Sequence, residues 1–264
     1  MRAMHGIWQD GMERLVRLGW DRLQGPPLRM FRWAAIAGWT SWLAWRARAQ
    51  APLCPSLQSE YLRLWAKGVQ HLVGLDYEVV EGEPPPPPRK GRLVIANHRT
   101  SLDVVILAQL FGGHFVANHR TQGAPIVGKA SALVDTIYVD RSDRRSGAQA
   151  IRKIRRFLWE GRTVILFPEG TTHSGDEVHP FHPGAFLAVL DLDAEIVPVG
   201  IAYPPGHEFT EPRLGEHLQK LLERRRNRAW VAIGEACDAR SAHPELLRDK
   251  VQDLVYKARK AGGA

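Results

Sequence analysis

Residues 93–103 have the sequence Leu-Val-Ile-Ala-Asn-His-Arg-Thr-Ser-Leu-Asp, a short apolar run followed by a polar turn. Residues 163–172 repeat this arrangement as Thr-Val-Ile-Leu-Phe-Pro-Glu-Gly-Thr-Thr. Short apolar runs rich in β-branched residues predict strands, and the pattern at 101–112 predicts a helix after the first turn. The two stretches therefore indicate strands of an α/β sheet that end in polar loops.

Strand and helix patterns alternate from Arg92 onward. This alternation predicts an α/β fold, with a mostly parallel or mixed sheet flanked by helices and an active site at the carboxyl ends of strands. A short strand at Tyr77–Glu81 and an exposed connector at Pro84–Pro88 precede it. The predicted strands are Leu93–Ala96, Thr136–Val139, Thr163–Phe167, Ile196–Ala202 and Trp230–Ile233, and the predicted helices are 101–112, 146–160 and Pro244–Lys260.

The first part of the chain is rich in tryptophan and arginine. Six of the nine Trp precede residue 46, and residues 1–50 carry eight Arg against three acidic residues. Helical patterns at 7–23, Leu28–Arg48 and Leu57–Leu72 follow one another, with Gly74 as a stop. Indole rings and Arg around an apolar segment are typical of an anionic membrane interface, and a helical hairpin packed on the rest of the protein is the alternative. We predict a membrane-associating segment at 1–75 and an α/β domain at 76–264.

Composition narrows the class of protein. The 264 residues carry a formal charge of +8, with 44% hydrophobic and 24% charged residues, which is typical of a globular chain. Two cysteines are too few for a disulfide scaffold. No secretory signal is evident, and the longest uncharged apolar run near the N-terminus, Trp33–Trp45, is shorter than the ~20 residues of a spanning helix. We expect a chain that associates with the cytoplasmic face of a membrane without crossing it.

The first polar loop contains a candidate general base. His98 and Asp103 lie on either side of a strand-to-helix turn, where the carboxylate can hold one ring nitrogen and leave the other free to accept a proton. The alternative is that both residues cap the following helix. In the second loop, Glu169, Gly170 and Thr171 form a polar turn at which a ligand can approach the backbone.

The two blocks, in this order, resemble those of the glycerolipid acyltransferase family, whose best-known members are the 1-acylglycerol-3-phosphate acyltransferases. The family's N-H-x-x-x-x-D and F-P-E-G-T blocks match Asn97–Asp103 and Phe167–Thr171. Five further blocks occur in the family's order, and the resemblance extends over roughly residues 70–240. These blocks are Pro125–Gly128, Val139–Arg141, Gly184–Phe186, Ile196–Val199 and Val231–Glu235.

The resemblance implies an enzyme that moves an acyl group from a CoA or carrier-protein thioester to the free hydroxyl of a lysolipid. His98 would be the general base, and Asp103 would orient it. Arg141 would bind the acceptor's phosphate, and Pro198 would lie near the acyl groove. The remaining acceptor-site residues would be Asn97, Glu169, Gly170 and Thr171. No metal and no cofactor beyond the thioester is implied.

Three positions depart from the family pattern and bear on the acceptor. Asn118 lies in the stretch where many members have Lys, Thr172 replaces an Arg, and His182 begins the pair that replaces a basic pair. Each change removes positive charge near the expected acceptor site. 1-Acylglycerol 3-phosphate is the first candidate acceptor, and lyso-ornithine lipid or another lysophospholipid is the alternative.

A metal hydrolase and a nucleic-acid-binding protein are two alternatives to an acyltransferase. A metal hydrolase could use His173, His179 and His182, but prolines interrupt any helix there and no H-E-x-x-H is present. A nucleic-acid-binding protein could use the basic runs at 152–156 and 224–228, which lack interleaved aromatic residues. We expect an anionic membrane surface and a lysolipid as partners, and no nucleic acid.

Overall fold

The computed structural model describes residues 25–50, 55–86, 88, 90–123, 128, 130, 131, 135–211, 213–241 and 243–263. The predicted helix at 7–23, and Pro125 of the third family block, lie outside them. The described strands are β1 (Leu75–Glu81), β2 (Gly91–Ala96), β3 (His114–Asn118), β4 (Ile137–Val139), β5 (Thr163–Leu166), β6 (Ala194–Ala202), β7 (Asn227–Ile233) and β8 (Cys237–Asp238). The described α-helices are α1 (Gly25–Ala49), α2 (Pro55–Val73), α3 (Leu102–Phe111), α4 (Arg144–Trp159), α5 (Leu214–Glu223) and α6 (Pro244–Ala261).

The strands form one mixed sheet, as the alternation predicts. Their order is β1-β7-β6-β2-β5-β3-β4, and β8 pairs with β6. The pairings are parallel except for those of β6 with β7 and with β8. The central strand β2 is buried throughout. A continuous apolar run is what a strand covered on both faces requires.

Helices cover both faces of the sheet. Val94 and Ala96 point to the layer formed by α1, α2 and α3. Leu93 and Ile95 point to the other layer, which contains α4 and α6. Because side chains alternate along a strand, β2 contributes to both hydrophobic clusters.

The sheet brings the two polar loops together. β2 and β5 are parallel neighbours, with Leu93 aligned to Val164 and Ile95 to Leu166. Both strands therefore end at the same edge of the sheet. The loops after them, which carry His98 and Glu169, emerge side by side at the carboxyl ends of strands.

One face of α1 is part of the hydrophobic core. The Trp39 indole donates a hydrogen bond to the Trp65 carbonyl at 3.2 Å, and Trp65 donates to Thr40 Oγ1 at 3.0 Å. Gly68 permits this approach, since a Cβ at that position would lie 2.2 Å from Trp39 Nε1. The second helix of the predicted hairpin is thus packed on the rest of the protein, and its first helix, at 7–23, lies outside the described residues. The division at residue 75 stays a prediction.

Arg32 fixes α1 to the end of α5. Its guanidinium donates to the carbonyl oxygens of Leu222, Arg224 and Arg225 at 2.9, 2.5 and 3.1 Å. Burial lowers the pKa of Arg32 to about 10, so the side chain remains charged at neutral pH. A cation at these carbonyls is favourable because they form the negative end of the helix dipole.

Candidate active site

The loop after β2 places a histidine against a buried carboxylate. His98 Nδ1 lies 2.8 Å from Asp103 Oδ2. Asp103 is fully buried, whereas the His98 side chain is 21% exposed. The imidazole stacks on Phe167, with centroids 4.0 Å apart and planes 14° apart. Because Nδ1 faces the carboxylate, Nε2 is the nitrogen that can exchange a proton with a substrate.

The Asp103 carboxylate also shapes the loop that carries His98. Its Oδ2 accepts hydrogen bonds from the backbone N–H groups of Arg99 and Thr100 at 2.7 and 3.0 Å. The chain therefore curls around the carboxylate before α3 begins. The helix-capping alternative is wrong, because Ser101 is the N-cap of α3 without a side-chain cap hydrogen bond, and Asp103 bonds to backbone groups that precede the helix.

Glu169 is buried beneath this loop. Its carboxylate accepts from the backbone N–H of His98 at 2.8 Å and from that of His179 at 2.9 Å. It also pairs with Arg99, whose Nη1 lies 3.0 Å from Oε1. With its side chain at 0% exposure, Glu169 holds the two functional loops together. A direct contribution of Glu169 to the acceptor site stays a prediction.

Arg141 and His182 converge on Gly170. A Cβ added to Gly170 would lie 2.9 Å from Arg141 Nη1 and 2.8 Å from His182 Cδ2. The glycine also has a φ of 85°, which favours a residue without a side chain. Partial burial lowers the pKa of the Arg141 guanidinium below its usual value, although the residue as a whole is exposed. Thr171 is exposed beside this group.

The remaining predicted site residues lie in different surroundings. Asn97 is buried, and its amide donates to the Ile201 carbonyl at 2.9 Å and accepts from the Ile201 N–H at 2.8 Å. It thereby ties the end of β2 to β6. Pro198 is buried within β6, and its carbonyl accepts from Gly234 N–H at 2.9 Å. The substrate contacts predicted for these two residues stay predictions.

The positions that depart from the family pattern lie at the edge of this site. Asn118 ends β3 and accepts a hydrogen bond from the Arg120 N–H at 3.0 Å. His119 Nε2 is 3.7 Å from Asp140 Oδ2, next to Arg141. Thr172 Oγ1 donates to the Phe209 carbonyl at 3.4 Å. Of the three substituted positions, His182 makes the closest approach to Gly170.

Comparisons with known proteins support the predicted family. The acyltransferase family model matches residues 79–202, which include both polar loops and Arg141. The 1-acyl-sn-glycerol-3-phosphate acyltransferase of Neisseria gonorrhoeae is 29% identical over 76% of this chain and 82% of its own length. The chain is an acyltransferase. The matches support the glycerolipid acyltransferase family that the motifs predicted.

Two further proteins are similar to this acyltransferase, one in sequence and one in structure. The lyso-ornithine lipid O-acyltransferase of Pseudomonas aeruginosa is 25% identical over 84% of this chain and 86% of its own length. The crystal structure of the 1-acyl-sn-glycerophosphate acyltransferase of Thermotoga maritima superposes with a TM-score of 0.67. At 19% identity, it covers 90% of this chain and 95% of that one. The structural match supports the predicted fold.

The sequence did not indicate three residues that support the candidate site of the acyltransferase. Arg99 pairs with Glu169 across 70 residues, and Tyr203 donates to Asp103 Oδ1 at 2.6 Å. His217 Nε2 lies 2.9 Å from Thr100 Oγ1 and 3.4 Å from the Ser101 nitrogen. Arg99 adjoins the histidine in the first block, which is the one local signal. The other two join the loop through the tertiary fold alone.

The protein lowers the pKa of two histidines near the site. Burial lowers the pKa of His217, although Glu211 Oε2 at 3.2 Å from Nδ1 opposes this. Burial also lowers the pKa of His173, and its stacking partner His179, with a centroid 3.7 Å away, acts in the same direction. Among the residues described, no group of three or more His, Cys, Asp or Glu is arranged to hold a metal ion.

Proposed function

We propose that this acyltransferase moves a fatty acyl group from a CoA or carrier-protein thioester to the free hydroxyl of a lysolipid. The first candidate acceptor is 1-acylglycerol 3-phosphate, which would become phosphatidate. The observation that carries the proposal is the 2.8 Å contact between His98 Nδ1 and the buried Asp103 carboxylate. A partly exposed imidazole with one nitrogen fixed in this way is suited to general-base catalysis.

The reaction then needs no covalent enzyme intermediate. His98 Nε2 takes the proton of the acceptor hydroxyl as its oxygen attacks the thioester carbonyl carbon. The new C–O ester bond forms, the C–S bond breaks, and the thiolate leaves with the proton that His98 returns. Asp103 stabilises the imidazolium while it carries that proton. Its burial strengthens this interaction because little water screens the pair.

Arg141 is our candidate for binding the acceptor headgroup. Its guanidinium reaches Gly170 beside His182, at the edge of the sheet that carries His98. A planar guanidinium donates several hydrogen bonds to a phosphate and keeps its charge at all physiological pH values. A phosphomonoester acceptor fits this group. The Pseudomonas relative makes a lyso-ornithine lipid the second candidate.

A product assay with purified enzyme tests the reaction and the headgroup together. Palmitoyl-CoA and palmitoyl carrier protein are each combined with 1-acylglycerol 3-phosphate, other lysophospholipids and lyso-ornithine lipid. We expect Arg141→Gln to lower kcat/KM for the phosphomonoester by about 10- to 100-fold, since hydrogen bonds to charged groups contribute about 1.5–3 kcal/mol.

Arg144→Gln is the matched control, because it removes the same charge from the exposed start of α4. Equal losses in both variants would contradict the role of Arg141. Transfer to lyso-ornithine lipid alone would replace the first candidate acceptor with the second. No transfer with any pair of substrates would overturn the proposed reaction.

We also propose that α1 binds the cytoplasmic face of an anionic membrane. One side of this helix is packed on the core. The opposite side is exposed and mostly apolar, and it carries Arg48 near the end of the helix. The exposed apolar positions are Pro26, Pro27, Met30, Phe31, Ala34, Ala37, Gly38, Trp45 and Ala49. Met30 and Trp45 are 68% and 65% exposed. Because none of the described helices can span a membrane, α1 would lie along the interface.

Vesicle cosedimentation tests this surface. We expect Met30→Ser combined with Trp45→Ser to weaken binding to phosphatidylglycerol-containing vesicles by at least tenfold. The reason is that inserting one such side chain contributes about 1.5–3 kcal/mol. Trp159→Ser is the control, because this residue is 79% exposed but lies on α4, across the sheet from α1. Unchanged binding of the double variant would exclude α1 as the membrane surface.

A further inference from the structure

The Asp103 carboxylate accepts hydrogen bonds at both oxygens. Oδ2 receives His98 Nδ1 and the two backbone N–H groups of the loop. Oδ1 receives the hydroxyl of Tyr203 at 2.6 Å, from just beyond the end of β6. This distance is short for a hydrogen bond between oxygens, as is typical when the acceptor is ionised.

Tyr203 is buried beside the carboxylate that it contacts. The residue is 4% exposed, and its ring stacks near His207, with centroids 6.0 Å apart. Burial, together with the charge of Asp103, raises the pKa of Tyr203 well above 10. Its hydroxyl is therefore protonated throughout the working range. The carboxylate can only accept, so Tyr203 must be the donor.

We propose that Tyr203 is a positioning residue for the His98–Asp103 pair, fixing the carboxylate plane and tuning the basicity of the imidazole. The inference rests on the proposed function of that pair. A donor at Oδ1 draws charge away from Oδ2, the oxygen that faces His98 Nδ1. Since an opposite charge favours the imidazolium, less charge on Oδ2 makes His98 a weaker base. Tyr203 therefore moderates the stabilisation that Asp103 gives to the imidazolium.

Other ionisable groups also face the pair. Those on the two polar loops are Arg99, Glu169 and His173, and α5 contributes His217. Removing the Tyr203 hydroxyl alters none of their charges directly. A difference in His98 between the wild type and a Tyr203 variant therefore reports the contact at Oδ1.

The first variant is Tyr203→Phe, which removes the hydroxyl and keeps the ring. We expect the acidic limb of the kcat profile to move to higher pH by about half a unit. We also expect kcat to fall about tenfold, because an unrestrained carboxylate holds the imidazole less accurately. KM for the acceptor should stay within twofold. A purely structural role of Tyr203 would change the amount of folded enzyme without moving the profile.

Tyr61→Phe is the matched control. Tyr61 lies in α2 and is also buried. Its hydroxyl donates to Oε1 of Gln50, just after the end of α1, at 2.6 Å. The control should leave the profile and kcat unchanged. An equal shift in both variants, or none in Tyr203→Phe, would overturn the proposal.

Nitrogen-15 NMR of the imidazoles provides a measurement independent of turnover. The His98 signal is assigned with the His98→Ala protein, and its pKa and tautomer are read in the wild type and in Tyr203→Phe. In Tyr203→Phe we expect the midpoint of the His98 titration to rise and the Nδ1–H tautomer to be retained, because Oδ2 becomes a stronger acceptor. If the wild type transfers no acyl group, the proposed function fails, while this titration still tests Tyr203.

Site-specific 3,5-difluorotyrosine at position 203 covers the case in which Tyr203→Phe does not fold. Fluorination makes the phenol a stronger donor without removing it. The His98 pKa should then move down, opposite in sign to the shift in Tyr203→Phe. An unchanged or increased pKa in the fluorinated protein would contradict the proposed contact.

Discussion

We expect His98→Ala to lower kcat for acyl transfer by about 10²–10⁴-fold, which is the usual contribution of a general base. The acceptor KM should change little, because the headgroup is assigned to Arg141 and the neighbouring loop. The measurement is steady-state transfer from palmitoyl-CoA over a range of acceptor concentrations. Stacking on Phe167 is lost as well, so folding is checked by circular dichroism.

Asp103→Asn and the double variant His98→Ala/Asp103→Asn test whether His98 and Asp103 act as a pair. Two residues that work as a pair have non-additive effects. The double variant His98→Ala/Asp103→Asn should therefore be about as slow as His98→Ala alone. His243→Ala removes an exposed histidine at the start of α6 and should retain full activity. Activity of His98→Ala close to that of the wild type would exclude the proposed base.

The largest effect on stability is expected at Glu169. Glu169→Ala leaves the Arg99 guanidinium, with its side chain 3% exposed, as an unpaired charge within the protein. Breaking such a buried pair costs about 3–5 kcal/mol, which corresponds to a fall in Tm of about 6–20 °C. Thermal unfolding followed by circular dichroism measures it. Activity should fall too, because the backbone of His98 loses its acceptor.

Two further variants are compared with Glu169→Ala. One disrupts ion pairs near the surface, and the other removes both charges of the buried pair. Glu160→Gln disrupts the ion pairs of Glu160 with Arg156 and Arg162 near the surface and should cost at most about 1 kcal/mol. Arg99→Met/Glu169→Gln removes both buried charges while keeping an acceptor oxygen, and should recover part of the lost stability. If Glu169→Ala unfolds at the same temperature as Glu160→Gln, the buried pair does not support the loops.

Hydrophobic patterning predicted most of the sheet because its central strands are apolar and short. Thr163–Phe167 corresponds to β5 within one residue, and Pro244–Lys260 to α6. The pattern missed β3 and β8, in which polar residues interrupt short strands. It also missed α5, a ten-residue helix, although its leucines recur at three- and four-residue spacings. The basic run at 224–228 forms the turn and the first strand residues after α5.

The candidate site was predictable only where its residues are close in sequence or share a family block. His98 and Asp103 are five residues apart, so local geometry suggested their contact. Glu169 was predicted to face the acceptor, but its burial with Arg99 depends on two loops meeting across the sheet. Tyr203 is an ordinary tyrosine in the sequence. Its position beneath Asp103 follows from the pairing of β6 with β2.

The contacts that support the candidate site join residues far apart in the sequence, and this separation affects how the chain folds. Glu169 meets His98 across 71 residues, Tyr203 meets Asp103 across 100, and Asn97 meets Ile201 across 104. Contacts of such high order form late, because large loops must close first. During synthesis, His98 and Asp103 emerge together, but β6 has yet to emerge and pair with β2. A nascent chain therefore carries the pair without its supports, and enzymatic competence arises only when the last central strand is in place.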